Sequence, residues 1–285
     1  MVGSDTNSFY TSTEGEIVVR STQDDTRLSV KRAALQKSEV FDGMFTVCGP
    51  AAPPVLELDE SGAHLELLLR LLNGPPPPPT SFGQEEASQH SSKFPRKLYN
   101  PDTIIPFPML QLMYGLADKY IIDAERALGP HLRAHCAEDA VRVYALALKA
   151  GEDDIAAEAS QFLRPIASYS SDEIAALPDA RSVHRLAVLQ DQRRRALTHL
   201  VLTEDIFPHG YGTCGEHQDQ TLERWDNRRK RLSASVDADT DVAWEMDSEG
   251  SIGCAACDLA WSRAVAMLAY KSRKAIGRID QLKQD

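Results

Sequence analysis

The chain has 285 residues, of which 42% are hydrophobic, and it carries a formal net charge of -11. This composition supports a buried core in one large domain or two modest ones, which argues against disorder throughout. The acidic surplus repels phosphate backbones and anionic membranes, so we expect neither as a main partner. No run of about 18 apolar residues occurs, and residues 1–13 lack the apolar centre of a signal peptide. We therefore expect a protein of the cytoplasm, the nucleus or both.

The first part of the chain predicts a hairpin followed by a helix. Residues 1–14 are rich in Ser and Thr and are predicted to be a disordered tail. Residues 16–20 are β-branched and residues 27–31 alternate between polar and apolar, which is typical of two strands with one buried face. Apolar residues then recur every three or four positions over 34–45, which predicts one amphipathic helix packed on the hairpin.

A strand and two further helices are predicted next. Residues 55–58 form a short β-type run, and Ser61 is placed to cap a helix that ends at Gly74. Beyond a gap, order resumes near Pro106 with a second helix. The residues predicted to be buried on these two helices are Leu65, Leu68, Leu69 and Leu72, then Met109, Leu112, Met113, Leu116 and Tyr120.

The gap between these helices contains five consecutive prolines, residues 75–79, followed by the polar stretch 80–97. Neither composition favours a packed core, so we interpret the region as a surface insertion. A proline run is compatible with two roles, a ligand for SH3 or WW domains and a stiff loop.

The second half of the chain is predicted to be helical. Helical patterns follow one another over 123–203, and the last of them covers 182–202. After residue 205 the composition changes to glycine, histidine, cysteine and acidic turns, before a final helix over 258–283. This change predicts a separate small C-terminal module.

Three segments carry a family resemblance. Residues 28–35, Leu-x-Val-Lys-Arg-x-x-Leu, and 38–45, Ser-x-x-Phe-x-x-Met-Phe, resemble the BTB/POZ signature, in which a strand ending Val-His-Lys leads into Leu, Ser and Phe-x-x-Met-Phe. Residues 116–120, Leu-Ala-Asp-Lys-Tyr, resemble the family's Ala-Asp-Lys-Tyr helix end. The chain departs from the pattern at Lys31, where the family has histidine, and in the spacing between Leu35 and Ser38, which is one residue short.

The resemblance implies an α+β fold, a small sheet capped by helices. We predict a BTB/POZ-like domain over 15–136 with a Pro-rich insertion at 74–101. A helical extension over 137–205 and a C-terminal module over 206–285 would follow, an architecture that resembles basidiomycete-type fungal BTB proteins.

The resemblance also implies a function. BTB domains are interaction modules, so we expect a non-enzymatic adaptor or regulatory scaffold that forms a homodimer. Its partner could be a cullin-type ubiquitin ligase, or it could dimerise a regulatory protein. The helix that carries Leu35, Phe41, Met44 and Phe45 is predicted to lie at the dimer surface, with simple core packing of most of these residues as the alternative. In the absence of kelch or ankyrin repeats, the tail with its three tryptophans would recruit other proteins.

The strongest chemical signal lies in the tail. Cys254-x-x-Cys257 and Cys214-x-x-His217 have the two-residue gaps that let a turn direct both side chains at one tetrahedral zinc ion. Four protein ligands would make the site structural, with His209 as a spare ligand. The alternative is a pair of reduced thiols beside a loop histidine. A redox Cys-x-x-Cys is disfavoured because the tail has no βαβ pattern.

Two basic clusters, residues 193–195 and 228–231, leave a second function open. They would suit a zinc-stabilised, nucleic-acid-binding transcriptional regulator, or they could be solvated helix faces paired with local carboxylates. For an enzyme, no phosphate loop, Gly-x-Ser-x-Gly elbow, His-Glu-x-x-His pair or kinase motif occurs. A metal-dependent enzyme would have only Glu216 or Asp258 as a base. We therefore predict that the chain is not an enzyme.

Overall fold

The computed structural model has a mixed α+β fold and divides into two compact units. The first unit comprises Met1–Pro79 and Ile104–His131, and the second comprises Thr80–Thr103 and Leu132–Asp285. Among the residues that the structure describes, no helix combines the length and apolarity needed to cross a membrane. The described residues are 15–48, 55–85, 88–203, 205–206, 212, 214–248 and 253–283.

The N-terminal part of the first unit contains a three-stranded sheet. Strands β1 (Glu16–Ser21) and β2 (Arg27–Lys31) pair antiparallel, as the alternating pattern predicts, and β3 (Val55–Leu58) pairs parallel with β1. The sheet order is therefore β2-β1-β3. A parallel neighbour requires a crossover connection, which here contains two helices.

The prediction of one helix over 34–45 is wrong, because the chain breaks there into α1 (Arg32–Leu35) and α2 (Glu39–Cys48). The buried hydroxyl of Ser38 accepts a hydrogen bond from the backbone N–H of Phe41 and donates one to the carbonyl of Tyr120, at 2.5 Å. A serine that caps the following turn favours the start of a new helix over continuation of the old one.

Two helices complete the core of this unit, α3 (Gly62–Asn73) and α4 (Phe107–Lys119). Ser61 caps α3 as predicted, because its side chain accepts a hydrogen bond from the backbone N–H of His64. Gly62 is required for packing, since a Cβ atom there would lie 2.3 Å from the hydroxyl oxygen of Thr26. Helix α5 (Glu125–Ala134) follows and runs across the division between the units.

The second unit begins with a hairpin in the region that the sequence predicted to lack packed structure. Strands β4 (Ser81–Gln84) and β5 (Lys97–Tyr99) pair antiparallel, and Ser92 between them is only 2% exposed. The hairpin was not predicted, but the strands themselves are mostly exposed, which agrees with the interpretation of residues 80–97 as a surface segment. Ser92 is the buried exception among the described residues of this stretch, because its polar groups bond to the rest of the same unit.

Helices make up the remainder of the second unit. The predicted helix over 182–202 is confirmed as α9, whereas the predicted final helix over 258–283 ends early, at Lys274. The backbone is extended at Ala275, and Gly277 packs so closely that a Cβ atom would lie 2.5 Å from the ring of Phe94. The helices are α6 (Ala140–Ala150), α7 (Asp153–Ser160), α8 (Ser171–Ala175), α9 (Ala180–Thr203), α10 (Gln218–Ser233), α11 (Val242–Asp247) and α12 (Ala255–Lys274).

Candidate metal centre

Two helix N-termini carry the four predicted metal ligands. His217 is the N-cap residue of α10, and Cys214 lies three residues before it. Cys254 is the N-cap residue of α12, and Cys257 is buried in the first turn of that helix. The Cys214/His217 pair and the Cys254/Cys257 pair are about 40 residues apart in sequence, so the packing of the helix ends brings them together.

The ligand atoms converge on one point. The sulfur of Cys214 lies 3.7 Å from the sulfur of Cys257, 3.6 Å from that of Cys254 and 3.1 Å from Nδ1 of His217. All four ligand atoms lie within 4.8 Å of one another. Three sulfurs and one imidazole nitrogen at this separation can hold one metal ion.

The surroundings favour the thiolate form at Cys257, whereas the backbone N–H of His217 lowers the pKa of the Cys214 thiol less than burial and the neighbouring thiols of Cys254 and Cys257 together raise it. Helix N-termini carry a partial positive charge, which stabilises an anionic sulfur placed there. Hydrogen bonding from Thr221 and from the backbone of Cys214 lowers the pKa of the Cys257 thiol. A lower thiol pKa reduces the free energy needed to deprotonate the ligand, so this environment is suited to a cation.

An apolar core lies behind the cluster, formed by α9, α10, α11 and α12. The rings of Trp225 and Trp261 meet edge to face at 5.0 Å, and the indole N–H of Trp261 donates to the carbonyl of Met246 at 3.1 Å. A metal ion held by the four ligands would join the starts of α10 and α12 directly above this core.

Other residues named from the sequence are not among the ligands. Glu216 and Asp258, considered as a base for metal-dependent catalysis, are next to His217 and Cys257 in sequence but do not belong to the group that could hold an ion among the described residues. The spare ligand His209 lies outside the described residues. The cluster thus consists of four protein side chains, one Cys/His pair and one Cys/Cys pair.

The residues predicted to lie near a dimer interface are mostly core residues. Leu35, Phe41 and Phe45 are 0%, 2% and 3% exposed and belong to the core of the first unit, whereas Met44 is partly exposed. The three buried residues follow the alternative that the sequence left open, which is simple core packing. Sequence periodicity identifies an apolar face, but it does not say whether that face packs inside the chain or against a partner.

The basic clusters are largely paired with local acceptors. Asp191 binds the guanidinium groups of Arg194 and Arg195, each at 2.8 Å. Arg228 donates to the carbonyl of Glu245 and pairs with its carboxylate at 3.2 Å. Such pairing agrees with the interpretation of these basic residues as paired with local carboxylates, although Arg193 is desolvated and Arg228 is mostly buried.

A series of side-chain hydrogen bonds that sequence reasoning missed joins three distant residues of the second unit. Nδ1 of His90 lies 3.1 Å from the carboxylate of Asp247, and Nε2 lies 2.9 Å from the hydroxyl of Ser262. The order Asp–His–Ser resembles a hydrolase triad, but Ser262 lies in the middle of α12, where backbone N–H groups bond to helix carbonyls. These side-chain hydrogen bonds connect the segment around residue 90 to α11 and α12.

We compared the chain with models of protein families, with curated proteins and with solved structures. None of these three comparisons finds a match.

Proposed function

We propose that the chain is a non-enzymatic protein-interaction module of the BTB/POZ type. The observation that carries this proposal is the meeting of the two segments that resemble the family signature, residues 38–45 and 116–120. Phe41 stacks on Tyr120 with ring centroids 5.2 Å apart, and Ser38 bonds to the Tyr120 carbonyl. Segments that share a signature are expected to share a core, and these do.

The topology of the first unit supports the same proposal. A hairpin, two short helices and a third strand parallel to the first make a small sheet with helices packed against it. The family resemblance implies this kind of scaffold. Because a scaffold does not determine function, the contact surfaces must be argued from exposed residues.

A dimer surface is proposed on the outer face of α2. Val40, Met44 and Val47 follow the spacing of one helix face, and Val47 is 87% exposed. The exposed side chain of Ile121 lies beside the start of this face, because its carbonyl accepts a hydrogen bond from the backbone N–H of Glu39. Two copies could bury this apolar stripe against itself around a two-fold axis.

Such a dimer would act as an adaptor or regulatory scaffold. The resemblance implies either docking to a cullin-type ubiquitin ligase or dimerisation of a regulatory protein. Of the three tryptophans considered as recruiting anchors, Trp225 and Trp261 are buried, whereas Trp244 on α11 is 57% exposed. Trp244 is therefore our candidate anchor for a recruited protein.

We further propose that the four-residue cluster of the second unit holds a zinc ion. With Zn–S bonds of about 2.3 Å, two sulfurs on one tetrahedral ion lie about 3.8 Å apart. The sulfur–sulfur distances of 3.6 and 3.7 Å match that edge. Three thiolates and one imidazole favour zinc over hard cations such as Ca²⁺ or Mg²⁺, and four protein ligands leave no open position for catalysis.

Size-exclusion chromatography with light scattering, and elemental analysis of the same peak, tests both proposals. We expect a dimer with about one zinc per chain. Val47→Glu should give a monomer of unchanged circular dichroism, because it places a charge on the stripe. Thr46→Glu, which adds the same charge one position away on α2, should remain dimeric. A wild-type monomer would contradict the dimer proposal, and a metal-free peak would contradict the zinc proposal.

The alternative function, a zinc-stabilised nucleic-acid-binding regulator, has less support. Its basic clusters are paired with Asp191 and Glu245, and the net charge is -11. Binding to phosphates would have to break these pairs against the overall repulsion. Retention on immobilised duplex DNA that falls steeply with salt would favour this alternative instead.

A further inference from the structure

The second unit contains an open cleft of about 440 Å³, separate from the metal centre. Its floor is formed by α9 at residues 189–193, and its walls are formed by residues 88–96, 160–164 and 238–240. None of the four metal ligands lines it. A volume in this range is typical of a site for a small molecule.

Positive charge is in excess along the cleft. Of the basic side chains that line the cleft, Arg96 forms an ion pair with Glu85, in which its nitrogen lies 3.3 Å from the carboxylate oxygen. The remaining acidic group, Asp239, is exposed. The charged residues that line the cleft are Lys93, Arg96, Arg164 and Arg193, against Glu85 and Asp239.

Arg193 is a desolvated cation with only neutral hydrogen-bond partners. Its guanidinium donates to the carbonyls of Ala238 and Ile276, at 2.8 and 3.0 Å, and no carboxylate of the described residues forms an ion pair with it. Burial lowers its pKa to about 10, against the opposing charge of Asp239. A guanidinium keeps its charge at this pKa, so at neutral pH the cleft holds a cation whose opposing charge, Asp239, is not in ion-pair contact with it.

The position of this guanidinium is tightly constrained. It lies over the ring of Phe94, 4.9 Å from the centroid. Gly277 packs against both groups, since a Cβ atom there would lie 3.1 Å from a guanidinium nitrogen of Arg193 and 2.5 Å from the Phe94 ring. Such a clamp reduces the entropy that Arg193 would lose when it binds a ligand.

Two further basic side chains at the cleft have a distant carboxylate partner or none among the described residues. The ammonium group of Lys93 is exposed and has no partner among the described residues. Arg164 reaches Glu173 only at 3.9 Å and otherwise lies over the ring of Tyr169, 4.7 Å from its centroid. Each group is free to turn toward an anion at little cost in broken contacts.

We propose that this cleft binds a small polyanion, a molecule that carries two or more phosphate or carboxylate groups. Arg193 would supply a fixed guanidinium at the floor, and Lys93 and Arg164 would bind the anion from the walls. Arginine and lysine bind both oxyanion types through charge-assisted hydrogen bonds. The site lies in the second unit and does not depend on the proposed dimer surface.

Isothermal titration of the full-length protein with pyrophosphate and with citrate, each against sodium chloride at matched ionic strength, tests the proposal. We expect saturable binding of at least one anion. Preference for pyrophosphate would assign phosphate as the ligand group, and preference for citrate would assign carboxylate. Heats that are no larger or more saturable than those of chloride would overturn the proposal.

The variants avoid Arg193, because it also holds two backbone carbonyls and its loss could unfold the unit. Lys93→Gln and Arg164→Gln should each weaken binding about tenfold, since each removes one charge-assisted contact. Lys149→Gln removes an exposed lysine of α6 that does not line the cleft, and should bind like the wild type. Undiminished binding by both Lys93→Gln and Arg164→Gln would place the anion elsewhere and refute the site.

Discussion

At the scale of single residues, the hydroxyl of Tyr144 lowers the free energy of unfolding. The side chain is fully buried in α6, and its hydroxyl has no hydrogen-bond partner in the part of the chain that the structure describes. Removal from water raises the pKa of this hydroxyl to about 12. A buried polar group without a partner costs free energy that a phenylalanine would avoid.

Tyr144→Phe is therefore expected to raise the free energy of unfolding by about 1 kcal/mol at neutral pH, measured by urea denaturation. Tyr169→Phe is the matched control, because the Tyr169 hydroxyl accepts a hydrogen bond from the backbone N–H of Arg164. That variant should lose stability or stay unchanged. A loss of stability in Tyr144→Phe would show that the hydroxyl has a partner in solution.

The same residue predicts a pH effect. The pKa of Tyr144 is higher in the folded than in the unfolded state, so its proton stabilises the fold below pH 10 and this contribution disappears as the pH rises toward 12. The stability advantage of Tyr144→Phe over the wild type should thus grow above pH 10. Parallel stability curves of the two proteins from pH 8 to 11 would contradict the shifted pKa.

At the scale of elements, one carboxylate ties the segment between β4 and β5 to α11. Asp241, the N-cap residue of α11, accepts hydrogen bonds from the Ser91 hydroxyl at 2.5 Å and from the N–H and hydroxyl of Ser92, both at 2.7 Å. Burial raises the pKa of Asp241, but these hydrogen bonds outweigh it and keep the pKa below its usual value. The stabilisation is present above the ordinary aspartate pKa and is lost as the pH falls.

Asp241→Ala should cost about 2 kcal/mol of stability, because it leaves the buried Ser92 groups without an acceptor. Hydrogen exchange read by mass spectrometry should show faster exchange of the Ser92 amide and its neighbours. Asp172→Ala on α8, an exposed aspartate in the same unit, is the control and should leave that exchange unchanged. Equal protection of residues 88–93 in Asp241→Ala and the wild type would rule out the tether.

At the scale of the whole molecule, metal binding is expected to contribute to folding. The four ligands come together only in the folded second unit, so the binding free energy of the ion stabilises that unit. Cys257→Ser should lower zinc content well below one per chain and lower the thermal midpoint. The loss in stability should be about 3 kcal/mol or more, since structural zinc sites bind strongly.

Differential scanning calorimetry with and without a chelator checks this expectation. The chelator should shift the wild-type transition toward that of Cys257→Ser and leave the variant unaffected. Cys48→Ser, at an exposed cysteine outside the cluster, is the control and should keep both metal and midpoint. A wild-type transition that does not respond to chelation would mean that the cluster contains reduced thiols instead.

Local features of this chain could be predicted without a structure. Strands β1 to β3, the Ser61 cap and the extent of α9 depend on alternation, capping and helical period, which act between near neighbours. The four candidate ligands were also found in this way, because the two-residue gaps of each pair are local. The convergence of the pairs was only a hypothesis until α10 and α12 were seen to meet.

Contacts between distant residues were decided by the tertiary structure alone. The break at Ser38 depends on the Tyr120 carbonyl, 82 residues away, and the packing of residues 88–92 depends on Asp241. Burial of Phe41 rather than Val47 likewise follows from which face of α2 meets the core of the first unit. The sequence by itself determined where elements form and which side chains suit a metal, because those properties are local. Only the tertiary structure decided which apolar faces are exposed and which polar groups meet, because those depend on contacts across the whole fold.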